Sequence, residues 1–134
     1  MRALIVDDHP LVLEVVRGMV DKALDHPAIH CASSLEEAIA HVRSAGVPDL
    51  TVLDLGLPGC TGIEALTRFR ASFPSAAVVI LSATEDPAVV NAALEAGAKG
   101  YLFKTSTRAV MQAALALVAA GGSCAPLAAA PGPA

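Results

Sequence analysis

The sequence predicts a single α/β domain, a five-stranded, doubly wound parallel β-sheet with helices on both faces. Five short apolar runs alternate with stretches whose apolar residues recur at helical spacing. The connections between them are short. Apolar residues make up 54% of the 134 residues and charged residues only 16%, so most elements must be covered. Right-handed crossovers between parallel strands achieve this by placing helices on both sides of the sheet.

The first two strand–helix units are predicted in residues 3–45. A buried strand at residues 3–6 precedes Pro10, which suits the first turn of a helix because its missing N–H would be unpaired there. The apolar positions of this helix are Leu11, Val12, Val15, Val16, Met19 and Val20. A weak strand follows at residues 28–31, and two overlapping capping boxes in residues 33–37 start the second helix.

The third unit contains the central strand. Residues 50–53 form an apolar run that suits a strand buried on both faces, and Gly56 and Pro58 stop it. A helix follows and ends at Pro74. Its apolar face is formed by Ile63, Leu66 and Phe69.

The fourth unit begins with a continuous apolar strand at residues 77–81. Asp86 is expected to cap the fourth helix, with Pro87 in its first turn. A fifth strand is predicted at residues 99–103.

The last helix is expected to be capped by Ser106 or Thr107 and to end at Gly121. Its inward positions are Val110, Met111, Ala114, Leu115 and Val118. The domain therefore covers residues 1–122. Residues 123–134, rich in Pro and Ala, are a low-complexity tail or the start of a linker that we expect to be disordered.

Composition narrows the class of function. The net charge of −4 argues against a broad nucleic-acid-binding surface, which would be basic. The three cysteines are widely spaced and suggest neither a disulfide framework nor a zinc site, so a reducing cytoplasm is the expected location. No signal peptide is visible, and no apolar run approaches the ~18 residues of a membrane span.

Polar side chains follow the predicted strands at their carboxyl ends. They are Asp7 and Asp8, Asp54, Ser82, and Lys104. Because the carboxyl ends of parallel strands meet at one edge of the sheet, these groups should converge there. Three neighbouring carboxylates repel one another, and a hard divalent cation such as Mg²⁺ relieves that repulsion. With the hydroxyl and the ammonium group, they form an electrostatic clamp suited to a transferred phosphoryl group.

The order and spacing of these motifs resemble the receiver domains of two-component response regulators. The matching segments are residues 6–10 (VDDHP), 53–58 (LDLGLP) with Gly62 beyond, 81–83 (LSA) and 100–104 (GYLFK). The resemblance covers roughly residues 1–122. It implies the strand order 2-1-3-4-5 in a flavodoxin-like sheet.

The resemblance implies a role for each matching residue around the acceptor. Asp54 would be the phosphoacceptor. Asp8 would bind Mg²⁺ directly, Asp7 would act partly through water, and the backbone carbonyl of Gly56 would be a further ligand. Such a domain assists its own phosphorylation and dephosphorylation without being an enzyme for another substrate.

The resemblance also implies a switch. Ser82 would bond the phosphoryl oxygen, Lys104 would pair with the phosphoryl group, and Tyr101 would turn inward behind them. One departure is Thr105, where the family commonly has Pro after a cis peptide bond. A non-proline cis bond costs about 3–4 kcal/mol, so the geometry of the Lys104–Thr105 bond is left open.

The segments after the first strand and after the last helix resemble the NarL/LuxR-type subfamily, whose receivers precede a helix-turn-helix domain. This implies a sensor histidine kinase as phosphodonor, control of transcription, and DNA binding only through a C-terminal domain that is absent from these 134 residues. Pairing of the chain with itself is a further expectation, and no membrane partner is expected. A stand-alone receiver is the alternative.

Two other functions remain open. A receiver that acts by protein–protein interaction without phosphate is one, although the intact acidic pair, Asp54 and Lys104 speak against it. The other is a phosphatase or dehalogenase with an aspartyl intermediate. Those enzymes carry a second acid two residues after the nucleophile, and position 56 is Gly. A nucleotide-binding fold is disfavoured because no glycine-rich phosphate loop follows the first strand.

Several other residues that bear reactive groups have simpler interpretations. His9 is expected to start the first helix, with a place near the acidic site as the alternative. Cys60 is expected to fill a loop, with a redox role as the alternative. The remaining histidines, His26, His30 and His41, are scattered and are interpreted as surface or edge residues.

Overall fold

The computed structural model describes residues 1–124, in which five strands and five helices alternate. The strands are β1 (Arg2–Val6), β2 (Ala28–Ala32), β3 (Leu50–Leu53), β4 (Val78–Ser82) and β5 (Gly100–Phe103). The helices are α1 (Pro10–Ala23), α2 (Leu35–Ala45), α3 (Glu64–Ser72), α4 (Pro87–Glu95) and α5 (Arg108–Ala119). Each lies within two or three residues of its predicted position.

The strands form one parallel sheet in the order β2-β1-β3-β4-β5, as predicted. The register brings Val6 beside Leu53 and Leu53 beside Ile80, so the strands end nearly level with one another. On the next pair, Ser82 lies beside Phe103. The residues that follow these strands therefore meet at one edge of the sheet.

Two apolar clusters occupy the two faces of the sheet because successive side chains of a strand point in opposite directions. On one face, Leu4 and Val6 of β1 pack with α2, α3 and α4. On the other, Ala3 and Ile5 pack with α1 and α5. The predicted doubly wound arrangement is thus confirmed.

Three helices begin at side-chain caps. Ser34 accepts a hydrogen bond from the amide of Glu37, and Asp86 accepts one from Ala88. For α5 the cap is Thr107, not Ser106, since Thr107 Oγ1 accepts from the amide of Val110. The Glu37 carboxylate accepts hydrogen bonds from the amide and hydroxyl of Ser33 and not from Ser34. One combined cap therefore forms in place of the two predicted capping boxes.

Three residues predicted to face the core are exposed instead. Leu11 is 77% exposed, Val15 is 48% exposed on the same helix, and Val110 is 55% exposed on α5. On both helices, the face that packs against the sheet holds fewer residues than the apolar pattern suggested. On α1 the buried residues are Val16, Met19 and Val20. The apolar run in α1 was wider than its contact surface, and periodicity does not reveal that difference.

The chain after α5 returns to the sheet. Gly121 takes a φ of +98°, which turns the backbone, and the amide of Cys124 donates to the carbonyl of Lys99 at 2.8 Å. Cys124 thereby forms a single parallel bridge with Gly100 of β5. A Cβ at Gly100 would lie 2.7 Å from Cys124 Sγ, so glycine is required for this approach. The rest of the predicted tail, residues 125–134, lies outside the described residues.

Thr51 is fully buried in β3, and its hydroxyl has no hydrogen-bond partner within residues 1–124. A buried polar group without a partner costs free energy that an apolar group of the same shape would not. We therefore expect Thr51→Val to raise the free energy of unfolding by about 1 kcal/mol. Urea melts measure this. The matched control is Thr67→Val on the exposed face of α3, where Thr67 Oγ1 donates to Glu64 and no gain is expected; an equal gain there would contradict the explanation.

Candidate functional site

The backbone of each polar strand end is held by hydrogen bonds that continue the sheet. The amide of Asp7 donates to Ala32 at 3.1 Å and that of Asp54 to Val6 at 3.0 Å. The amide of Lys104 donates to the carbonyl of Ser82 at 2.9 Å. The predicted residues are therefore brought together on backbone whose hydrogen bonds continue those of the sheet.

The acidic residues Asp7, Asp8 and Asp54 form a cluster at this edge. The residues Asp7 and Asp54 are only 2% and 4% exposed. Within the described residues, three buried carboxylate oxygens lack a hydrogen bond: Asp7 Oδ2, Asp8 Oδ1 and Asp54 Oδ2. The first lies 3.4 Å from Lys104 Nζ and the second 3.1 Å from His9 Nδ1, whereas Asp54 Oδ2 has no such neighbour among these residues. Buried carboxylate oxygens without partners are costly and indicate that the cluster is built for a further cation or donor.

Lys104 provides the cation at this site. Its Nζ lies 3.4 Å from Asp7 Oδ2 and 3.5 Å from Asp54 Oδ1, and its side chain is 24% exposed. One ammonium group against three carboxylates leaves two negative charges uncompensated. The residues 1–124 contain no cis peptide bond, so the Lys104–Thr105 bond is trans.

The electrostatics of Asp54 reflect this crowding. Burial raises the pKa of Asp54 above its usual value, while the amide of Gly56 opposes the rise. The negative charge of Asp7 raises this pKa further, and Lys104 lowers it. The charged form of Asp54 is thus less stable in the metal-free folded protein than in the unfolded chain. A cation bound nearby would stabilise this charged form.

Gly56 keeps the front of Asp54 open. Its amide donates to Asp54 Oδ1 at 3.0 Å, which leaves Oδ2 without a partner. A Cβ at this position would lie 3.6 Å from both carboxylate oxygens, an ordinary contact distance. Gly56 and Asp54 line the same cavity, so a larger side chain at position 56 would be placed next to the carboxylate.

A cavity of about 380 Å³ opens in front of Asp54. Its lining includes His9, Gly56, Ser82, Thr84 and Lys104. Its walls thus combine a carboxylate, hydroxyls and an ammonium group. This composition suits a small anionic group held beside a cation.

The predicted switch residues are linked through Thr84. The Ser82 hydroxyl accepts a hydrogen bond from the Thr84 amide at 3.1 Å, and the Tyr101 hydroxyl donates to the Thr84 carbonyl at 2.9 Å. Tyr101 is 1% exposed, so its side chain occupies the inward position. The Thr84 carbonyl provides the acceptor that a buried tyrosine hydroxyl needs. Sequence reasoning missed Thr84, whose contribution is made by its backbone.

His9 belongs to the site, which was the alternative to its expected role of starting a helix. Its Nδ1 lies 3.0 Å from Asp7 Oδ1 and 3.1 Å from Asp8 Oδ1. Its position directly after the acidic pair was the signal that could have indicated this. Two other histidines lie elsewhere: His30 and His41 stack between β2 and α2, with ring centroids 3.6 Å apart.

The donor set fits a hard divalent cation. Ligand atoms of Asp7, Asp8, His9 and Asp54 all lie within 4.8 Å of one another. Carboxylate oxygens in excess of their hydrogen-bond donors are the ligands that Mg²⁺ prefers, with water completing its shell. The three acidic residues suggested for the metal are therefore adjacent in space, as the motif spacing predicted.

Comparison with known proteins places this arrangement in a family. Residues 3–116 match the response regulator receiver domain. The chain is similar to the transcriptional activator protein ExaE of Pseudomonas putida, with 35% identity over 90% of this chain and 56% of ExaE. It is also similar to the nitrate/nitrite response regulator protein NarL of Escherichia coli K12, with 36% identity over 88% of this chain and 54% of NarL.

The fold has a solved counterpart at similar identity. A two-component response regulator of the LuxR family from Aurantimonas sp. SI85-9A1 superposes with a TM-score of 0.84 and 34% identity, covering 96% of this chain and 91% of that one. The chain spans about half the length of the curated relatives it matches. The protein described here belongs to the response regulator receiver domain family, and its relatives are response regulators of the NarL and LuxR type.

Proposed function

We propose that this receiver is a phosphoryl-accepting switch that takes a phosphoryl group on Asp54 in the presence of Mg²⁺. The observation that carries the proposal is the state of Asp54. Its carboxylate is 4% exposed, yet Oδ2 has no hydrogen-bond partner within the described residues and the side chain lines the cavity. A buried oxygen in this position is available to form a bond.

Each residue around Asp54 has a separate role in the transfer of the phosphoryl group. The Gly56 amide holds Oδ1, so that Oδ2 is the attacking oxygen. A bond forms between Oδ2 and phosphorus while the bond from phosphorus to the donor's leaving atom breaks, which is oxygen in an acyl phosphate and a ring nitrogen in a phosphohistidine. Lys104 moves from its carboxylate pairs to the phosphoryl oxygens, and Ser82 donates its hydroxyl to them. Asp7, Asp8 and Asp54 with the Gly56 carbonyl would hold Mg²⁺, which would supply further positive charge for the transferring oxygens.

The test is intact-mass analysis after incubation with a small acyl phosphate. One phosphoryl group should be added in the presence of Mg²⁺ and lost when the metal is chelated. The Asp54→Asn variant should not be labelled. If Asp54→Asn were labelled to the same extent as the parent protein, Asp54 would not be the phosphoacceptor.

The same experiment separates the alternatives. A folded protein that binds Mg²⁺ but takes no phosphoryl group would favour a receiver that works through protein contacts alone. Continuous release of phosphate from many monoesters would favour a phosphatase. The absence of an acid at position 56 argues against that second outcome.

We propose that the signal leaves the site through Thr84. A phosphoryl group brings three acceptor oxygens to which the Ser82 O–H donates. Movement of Ser82 Oγ toward them would lengthen the hydrogen bond that it accepts from the Thr84 amide. We therefore expect phosphorylation to shift the amide resonances of Thr84, Tyr101 and Phe103, and Ser82→Ala to reduce the Tyr101 shift to less than about half. Ser75→Ala, an exposed serine, is the matched control. An undiminished Tyr101 shift in Ser82→Ala would contradict this route.

The phosphodonor we propose is a sensor histidine kinase, by analogy with the two-component relatives. DNA binding would belong to a helix-turn-helix domain outside these 134 residues, since the chain has a net charge of −4 and α5 carries only Arg108 as a basic residue. The described part of the chain has no helix long and apolar enough to cross a membrane. We propose a cytoplasmic location on the grounds of cysteine usage and this partner.

Pairing with a second copy is a further part of the proposal. The exposed apolar side chains Leu11 and Val15 lie beside a shallow groove between α1 and α5. Its lining is almost wholly apolar, apart from Lys104. Such a patch favours protein contact over solvent.

A further inference from the structure

The imidazole of His9 is aimed at the acidic cluster instead of serving its helix. His9 is the residue before α1, in the N-cap position, but its side chain makes no capping hydrogen bond. The ring nitrogen Nδ1 lies between Asp7 and Asp8, 3.0 and 3.1 Å from their nearest oxygens. The other end of the ring faces solvent, since the side chain is 61% exposed.

These distances match those between ligands of one metal ion. In an octahedral site with bonds of about 2.1 Å, adjacent ligands lie about 3.0 Å apart and opposite ligands about 4.2 Å apart. The spacing of His9 Nδ1 from the two carboxylates is that of adjacent ligands. The full set with Asp54 lies within 4.8 Å, against about 4.2 Å for opposite ligands, so the four groups would draw closer together around one ion.

The cluster has unused ligand atoms that point to an ion. Asp7 and Asp54 are more than nine-tenths buried, and Asp7 Oδ2 and Asp54 Oδ2 have no hydrogen bond within residues 1–124. Lys104 alone does not balance the three carboxylates. A divalent ion bound by one oxygen of each carboxylate, with Asp54 Oδ2 left free to attack, satisfies the excess charge and the imidazole at once.

We propose that His9 Nδ1 is a nitrogen ligand of the divalent ion held by Asp7, Asp8 and Asp54, and that the site therefore binds Mn²⁺ and Co²⁺ more tightly than Mg²⁺. The inference rests on the metal site of the proposed function. On binding, the proton of the neutral ring resides on the solvent-facing Nε2, and the Nδ1 lone pair bonds the ion. Imidazole nitrogen favours first-row transition metals, whereas carboxylates alone suit Mg²⁺.

Pulsed electron paramagnetic resonance of Mn²⁺ bound to the 134-residue chain tests the ligand directly. We expect the ¹⁴N coupling of a bonded imidazole in the parent and its loss in His9→Gln. His26→Gln is the matched control because His26 also pairs with an aspartate, at 2.9 Å from Asp21, but lies outside the cluster. Labelling all histidines with ¹⁵N gives the same readout without substitution, should His9→Gln fold poorly. A parent spectrum without imidazole coupling, or coupling that persists in His9→Gln, would overturn the proposal.

Calorimetric titration with Mg²⁺ and Co²⁺ measures the consequence. The ratio of Co²⁺ to Mg²⁺ affinity should fall by about tenfold or more in His9→Gln and stay unchanged in His26→Gln. An unchanged ratio in His9→Gln would show that His9 only pairs with the carboxylates. Mg²⁺-dependent labelling of Asp54 by acyl phosphate keeps the two proposals apart. If Asp54 is labelled but no imidazole coupling is seen, His9 is not a metal ligand and the proposed function stands. If coupling is seen but Asp54 is not labelled, His9 is a metal ligand and Asp54 is not the phosphoacceptor.

Discussion

In metal-free buffer at pH 7, Asp54→Asn is expected to unfold at higher urea concentration than the parent protein. Burial and the nearby Asp7 charge raise the pKa of Asp54, although Gly56 and Lys104 oppose the rise. The charged carboxylate is therefore less favourable in the folded protein than in the unfolded chain. An uncharged amide of the same shape avoids this, and the expected gain is about 1–2 kcal/mol.

The dependence of this gain on pH has a defined sign. A raised pKa in the folded protein means that the cost of Asp54 is present in full above that pKa. As the pH falls through it, folded Asp54 takes up a proton and the cost shrinks, disappearing below the ordinary carboxyl pKa of about 3.9. The stability difference between Asp54→Asn and the parent should therefore be largest at neutral pH and approach zero near pH 4.

Asp86→Asn is the matched control, since asparagine also caps a helix and Asp86 is exposed. Its stability should remain within about 0.5 kcal/mol of the parent at every pH. A clear loss of stability in Asp54→Asn would mean that the carboxylate holds the fold together. In that case the excess charge at the site would need another explanation.

Lys104→Met is expected to have the opposite effect. Methionine keeps the length of the side chain but removes the cation near Asp7 and Asp54, whose oxygens lie 3.4 and 3.5 Å from Lys104 Nζ. Removing one partner from largely buried charges destabilises, here by roughly 2–4 kcal/mol in the absence of metal. Urea melts with and without millimolar Mg²⁺ measure it, and the loss should shrink when Mg²⁺ is added.

Lys99→Met, at an exposed position before β5, controls for the loss of one positive charge. The double variant Asp54→Asn with Lys104→Met adds a thermodynamic cycle. Because the two groups share one cluster, their effects should not be additive, and the double variant should be more stable than the sum of the two single effects. Additive effects would show that Lys104 and Asp54 are energetically independent.

Much of this fold could be predicted from residue patterns because the signals were local. Apolar runs gave the strands, capping residues such as Ser34 and Asp86 gave helix starts, and glycines or prolines gave the ends. The width of the face that each helix buries depends on its neighbours in the fold and cannot be read from the residues of the helix itself. Leu11 and Val110 were predicted to be inside because periodicity marks a face but not how far the neighbouring helix extends over it.

The site was predictable for a different reason. Strand ends of a parallel sheet converge, so Asp7, Asp54 and Lys104 were placed together by topology. Two contributions depend on local geometry that residue patterns do not decide. The His9 ring turns toward the carboxylates and away from its own helix, which the sequence left as an alternative. The Thr84 backbone, which sequence reasoning missed, links Ser82 to Tyr101.

Because Cys124 forms a bridge with Gly100, a reporter protein fused after Cys124 would be attached at the start of β5. A strand advances about 3.3 Å per residue, so the four steps from Gly100 to Lys104 put the attachment point roughly 13 Å from the acceptor edge, at the opposite end of β5. A fluorescent protein joined after Cys124 would therefore leave the approach of a phosphodonor to Asp54 unobstructed. It would also be anchored by a backbone hydrogen bond to the residue preceding the strand that carries Tyr101. A reporter at this point is placed to register small displacements of that strand as changes in its own orientation.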